Sequence, residues 1–173
     1  MIKMTSAYAN KLIKKLEEDK DYWRNKEMDS CVYTVGSDEE PLIPDYDYAT
    51  VAKKIDDIDR KICAIKHSIN LANVTSQIEL DGEILTVDAI LVRMAQLNKR
   101  KTILESMRRR QPKTRLSSSY STIKKQTVEY MYTNYDIELV KREYEQIDNV
   151  ISNMQLQLDK YNQTVEFEVD IEI

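Results

Sequence analysis

Glycine and proline are nearly missing from this chain, which holds only Gly36, Gly82, Pro41, Pro44 and Pro112 among 173 residues. Average usage would give about 12 glycines and about 9 prolines in a chain this long. Tight turns, phosphate-cradling loops and strand crossings draw on glycine for its access to positive φ. A doubly wound or many-stranded fold is therefore disfavoured. Cysteine is also scarce. Cys31 and Cys63 make no disulfide framework, and the expectation is a reducing, cytoplasmic setting.

Long apolar runs are missing too. Nothing approaches the roughly 18 residues that a membrane span needs, so no membrane partner is expected. Lys3, Lys11, Lys14 and Lys15 interrupt the apolar stretch that a signal peptide would require. His67 is the single histidine and has no acid partner at a recognisable spacing for general-base work. No Gly-rich phosphate loop, HExxH or GxSxG motif occurs. These gaps lead to the expectation of a protein that is not an enzyme and holds no cofactor.

Charge is plentiful. Charged residues make up 32% of the chain and hydrophobic residues 42%, a globular profile shifted toward that of long helices. The length suits one domain spanning residues 1–173. The net charge of −4 is unevenly spread. Arg93 to Arg115 carries nine basic residues against one acid, and Glu129 to the C-terminus carries eleven acids against three bases. Folding or assembly could bring the two segments together.

Hydrophobic spacing divides the chain. Thr5 or Ser6 can cap a first helix running to Ser30, with Tyr8, Leu12, Leu16 and Trp23 near one face. Residues 31–47 break the pattern and read as an exposed loop. Asp47 caps a second helix, whose Tyr48, Val51, Ile55, Ile58, Ile62, Ile65, Ile69 and Ala72 follow a 3–4 alternation without a fault. That is a coiled-coil heptad seam. Residues 76–85 then alternate around Asp81-Gly82, a strong hairpin signal because a type I′ turn needs positive φ at both central residues.

Thr86 caps a third helix ending near Gln111-Pro112, and a basic, serine-rich loop occupies residues 111–122. A short strand is expected within 122–132, which is rich in Thr, Val and Tyr. Asn134 or Asp136 opens the last helix. Its seam of Ile137, Val140, Tyr144, Ile147, Ile151, Met154, Leu158 and Tyr161 is as regular as that of the second helix. The economical expectation is that the two seams pair with each other within the chain. Residues 164–173 alternate strictly and predict a C-terminal strand, which must pair with residues 122–132, with the hairpin or with another subunit. The fold class is mainly α: a long antiparallel helical hairpin or bundle of about four helices, with a small β-hairpin and a C-terminal strand.

The order of these parts has a counterpart. A heptad helix ending in Asn73, a hairpin on Asp81-Gly82, Leu85-Thr86-Val87-Asp88-Ala89 leading to Arg93, a basic Ser-rich loop and a final long helix resemble a bacterial family of unknown function. Some of its members are labelled septicolysin or septicolysin-like. The likeness runs from the first helix to about Val165. It implies a bacterial, cytoplasmic helical protein that self-associates, and it supplies no catalytic residues. The antiparallel helical hairpin is also similar in architecture to the tRNA-binding arm of seryl-tRNA synthetase.

One segment carries candidate binding residues. Arg93, Lys99, Arg100, Lys101, Arg108, Arg109, Arg110, Lys113 and Arg115 could track a phosphate backbone, with Tyr120 and Ser117 to Ser119 adding contacts. The same cations could instead serve as a solvated helix end or be neutralised by the acidic C-terminal region. Cys63 and His67 stand four apart, but they fall at outward heptad positions and a structural zinc wants four ligands, so no metal is expected. Asp56, Asp57 and Asp59 read as a wetted helix face. The expectation for function is a non-enzymatic, self-associating helical scaffold or binding protein, a homo-oligomer. An RNA- or DNA-binding module using residues 93–115 is the alternative.

Overall fold

A computed structural model describes residues 1–116 and 128–171. The chain is mainly α. Its elements are β1 (Ile2–Thr5), α1 (Ser6–Ser30), α2 (Tyr48–Thr75), β2 (Gln77–Leu80), β3 (Glu83–Thr86), α3 (Val87–Arg108), β4 (Lys113–Leu116), β5 (Glu129–Tyr132), α4 (Ile137–Thr164) and β6 (Glu166–Val169). They gather into two compact units, one of residues 1–77 and 158–173 and the other of residues 78–157.

The first unit rests on an antiparallel pair of helices. Thr5 caps α1 by accepting a hydrogen bond from the Tyr8 N–H at 3.3 Å, and Asp47 caps α2 by accepting from the Thr50 N–H at 2.8 Å. Glu27 meets Tyr46, Lys20 meets Asp59, and Glu17 meets Lys66, so residue numbers fall along α1 as they rise along α2. Ile58, Ile62 and Ile65 of the α2 seam form a core with Ala9 and Ile13 of α1, Met4 of β1 and Val169 of β6.

The seam of α2 is thus covered by α1 and the terminal strands. α4 meets α3 within the second unit, through Arg100 with Glu143, Lys101 with Asp148 and Arg108 over the Tyr144 ring. The expectation that the two regular seams would be mutual partners gives way to this arrangement. Both amphipathic stripes needed a cover, and the helix adjacent in sequence reaches each one with a shorter connection.

The C-terminal strand is real but shorter than residues 164–173: Thr164 still ends α4, and β6 spans Glu166–Val169. Its partner is none of the three expected. β6 pairs antiparallel with β1, Ile2 opposite Val169 and Met4 opposite Phe167. Alternation places Met4 and Val169 on the buried side, while Lys3 stands opposite Glu168.

In the second unit, Asp81 has φ of 51° and Gly82 has φ of 84°, the two positive values that join β2 to β3. Thr86 holds the position before α3, yet its side chain makes no capping bond. α3 stops at Arg108, short of Gln111-Pro112. The basic loop expected over residues 111–122 is corrected over its described part. Lys113–Leu116 form β4 and pair antiparallel with β5, within the stretch expected to hold a strand. The rest of that loop, residues 117–122, lies outside the described residues. Asp136 opens α4, its Oδ1 accepting from the N–H groups of Glu138 at 2.9 Å and Leu139 at 3.3 Å.

Candidate nucleic-acid interface

The basic segment is divided between a helix and a two-stranded ribbon. On α3 the cations meet carboxylates. Arg93 Nη1 lies 2.7 Å from Glu83 of β3. Arg100 donates from Nε and Nη2 to Glu143 Oε1 at 3.1 and 2.9 Å, and Lys101 donates to Asp148. Arg108 Nε bonds Glu105 at 2.6 Å, and Arg109 bonds the same carboxylate. Two acids of the C-terminal region, Glu143 and Asp148, therefore neutralise two of the nine candidate cations across the α3–α4 pair. Lys99 makes no ion pair among the described residues.

Local hydrogen bonding sets the titration of this group. The bond from Arg108, aided by that from Arg109, holds the Glu105 carboxyl below the ordinary glutamate value, against the opposing effect of desolvation. The bond to Asp148 raises the Lys101 ammonium above its ordinary value. The same carboxylate partnership raises Arg108. Tyr144 of α4 adds its ring face, with the Arg108 guanidinium 4.0 Å and the Lys101 ammonium 5.6 Å from its centroid.

Beyond α3 the surroundings change. The chain from Ser106 to Leu116 carries Arg108, Arg109, Arg110, Lys113 and Arg115 without one acid. The register of the ribbon sets Lys113 opposite Tyr132 and Arg115 opposite Tyr130. Residues two apart on a strand share a face, and so do directly opposed residues on neighbouring strands. Lys113, Arg115, Tyr130 and Tyr132 thus stand on one face. The Lys113 ammonium lies 4.1 Å from the Tyr130 ring centroid and 5.4 Å from that of Tyr132. Both rings are exposed, Tyr130 by 45% and Tyr132 by 62%.

The base of the ribbon is tied down. Thr133 N–H donates to the Pro112 carbonyl at 3.2 Å, and the Tyr135 hydroxyl donates to the Met107 carbonyl at 2.8 Å. Arg110, Pro112, Tyr135 and Lys141 help line a shallow cleft there. Arg110, Lys113 and Arg115 have no ion-pair partner among the described residues.

Sequence reasoning named the cations of this ribbon but missed its tyrosines. The available signal was the matching two-residue spacing of Lys113 with Arg115 and of Tyr130 with Tyr132. Ser117 to Ser119 and Tyr120, named as additional contacts, lie outside the described residues.

The other candidates settle into ordinary surroundings. Cys63 and His67 are exposed on α2. Asp56 and Asp57 pair with Arg60, and Asp59 pairs with Lys20. No group of three or more His, Cys, Asp or Glu is placed to hold a metal ion among the described residues. No described helix is long and apolar enough to cross a membrane.

Comparison with protein-family profiles and with curated protein sequences finds no match. In structure the chain is similar to a functionally unknown conserved protein from Corynebacterium diphtheriae, with a TM-score of 0.64 and 13% identity over 96% of this chain and 100% of that one. That likeness establishes a shared fold.

Proposed function

We propose that this chain is a non-enzymatic, cytoplasmic helical scaffold or binding protein that associates with copies of itself. One observation carries the reading. Along α4 the seam is buried at Val140 and again at Met154, but Tyr144, Ile147 and Ile151 between them are only half-buried. Met94 and Leu97 of α3 are half-buried as well. A pair of helices covers one side of such a stripe, and a second pair laid against it makes a four-helix arrangement that closes it. A twofold pairing of identical hairpins meets that need with one surface type.

Light scattering on a sizing column tests the reading. A mass that is a multiple of 20.4 kDa is expected for the unmodified protein. Replacing Ile147 and Ile151 together by Glu should reduce that mass to one chain with helix content retained. A monomer at every concentration would overturn the proposal.

A further inference from the structure

The geometry points to a second activity, independent of self-association: the Lys113–Arg115–Tyr130–Tyr132 face of the β4–β5 ribbon binds single-stranded nucleic acid. Three features of that face favour this ligand. The first is charge. Arg110, Lys113 and Arg115 lie close together in the chain and have no carboxylate partner among the described residues, whereas Arg93, Arg100, Lys101, Arg108 and Arg109 are ion-paired. A polyanion can engage the first set without breaking an existing bond. Four of the nine cations are thus without an ion pair among the described residues, Lys99 on α3 and the three at and beside the ribbon, and only those three stand with the exposed tyrosines.

The second is aromatic surface. Tyr130 and Tyr132 are neighbours along one face of β5 and expose 45% and 62% of their area. Rings two residues apart on a strand are spaced by roughly 6.6 Å, from the usual rise per residue. Successive unpaired bases can lie on such rings, because every base offers a π-face. A duplex keeps its bases stacked inside and leaves the rings idle.

The third is the relation between the two. Lys113 sits 4.1 Å from the Tyr130 centroid, so the cation that would meet a phosphate lies beside the ring that would meet its base. An aromatic sheet face stacking two or three bases is a recurrent solution for single-stranded RNA. Here the surface is two strands wide, which suits a short footprint.

Fluorescence anisotropy with a labelled single-stranded oligonucleotide of mixed sequence, compared with its duplex, tests this at low and moderate salt. The single strand should bind more tightly than the duplex. Its log affinity should fall with log salt by about −2, from three phosphates at about −0.7 each. Tyr130→Ala with Tyr132→Ala should weaken binding about tenfold or more at unchanged salt slope, and Tyr→Phe at both positions should restore it. Lys113→Ala with Arg115→Ala should flatten the slope by about 1.4. Lys14→Ala, at an exposed cation of α1 outside the basic segment, should leave affinity unchanged. No binding at low salt overturns the inference. So does duplex binding as tight as single-strand binding, or insensitivity to loss of both rings while far-ultraviolet dichroism shows the fold intact.

Discussion

Lys101 of α3 stands at a core-facing position and donates a hydrogen bond to Asp148 of α4. Ile90, Met94, Leu97, Lys101 and Leu104 follow the 4–3 alternation of a seam, and Lys101 is its one charged member. Its ammonium also lies 5.6 Å from the Tyr144 ring centroid. A charged residue at one seam position fixes the register between helices at some cost in stability, since other alignments leave its charge unpaired.

Substitution should separate those two effects. Lys101→Leu is expected to raise the melting temperature by a few degrees at most, because the Lys101 side chain is already 28% exposed and Asp148 is 45% exposed. The same change should broaden the mass distribution on a sizing column as alternative alignments become comparable. Asp148→Ala leaves the ammonium without its carboxylate and should lower the melting temperature. Equal melting temperatures for both variants, with one sharp mass, would leave the pair without a structural role.

The terminal strands offer a larger effect. Met4 is 3% exposed and packs in the core with Ala9, Ile13, Ile65 and Val169. Met4→Ala should cost ~2–5 kcal/mol, the range for truncating a buried methionine. Denaturant titration would read this as a lower midpoint at unchanged slope. Lys3→Ala, on the opposite face, should change little, because its contact with Glu168 spans 3.9 Å between exposed groups.

That contrast shows what could be read before the structure. Ile2-Lys3-Met4-Thr5 alternates as a strand should, but four residues running straight into a helix cap give too short a signal to stand alone. The partner of β6 was therefore missed, although β6 itself announced its face through Val165, Phe167 and Val169. Helix positions were legible because the seams of α2 and α4, Tyr48 to Ala72 and Ile137 to Tyr161, each repeat over more than six turns. Which seam met which helix was not, because a stripe of isoleucines specifies burial without naming its cover. For the candidate interface, the chain gave the cations and their sign. The pairing of Arg100 and Lys101 with Glu143 and Asp148 depends on tertiary alignment, and so does the meeting of Lys113 with Tyr130 across two strands.

The Asp81-Gly82 turn was legible from two residues, and it carries a sharp test. A Cβ built on Gly82 meets nothing within 4 Å, so Gly82→Ala introduces no clash. The backbone there has φ of 84°, which an L side chain resists. Gly82→Ala should cost about 1–2 kcal/mol through that resistance alone. Gly36→Ala is a useful comparison, since its Cβ would come within 3.1 Å of the movable end of Glu39 in an exposed loop and should cost far less. If the two variants melt together, the left-handed geometry at Gly82 is not under strain from a side chain.

Acidification should act through Glu105. Its carboxyl is held below the ordinary 4.5, chiefly by the bond from Arg108 and then by that from Arg109. A group with a lower folded than unfolded value binds protons more readily when unfolded, so it stabilises the fold above the unfolded value. That contribution is lost as pH falls through the folded value, so its window opens at about 4.5 and extends downward. Glu105→Gln cannot titrate and should show a shallower fall in melting temperature across this window. Part of the fall should persist, because the Thr50 bonds also hold Asp47 below its ordinary 3.8. Added salt should narrow the gap between the two proteins, since the Arg109 side chain is 74% exposed and its share is open to screening. Arg108 lies 4.0 Å from the Tyr144 ring centroid and should keep that stacking in the variant. The tyrosine environment, followed by near-ultraviolet dichroism, should therefore stay unchanged while the acid limb flattens. A variant that loses both signals together would mean that Glu105 positions Arg108 on the ring, rather than acting through its charge alone.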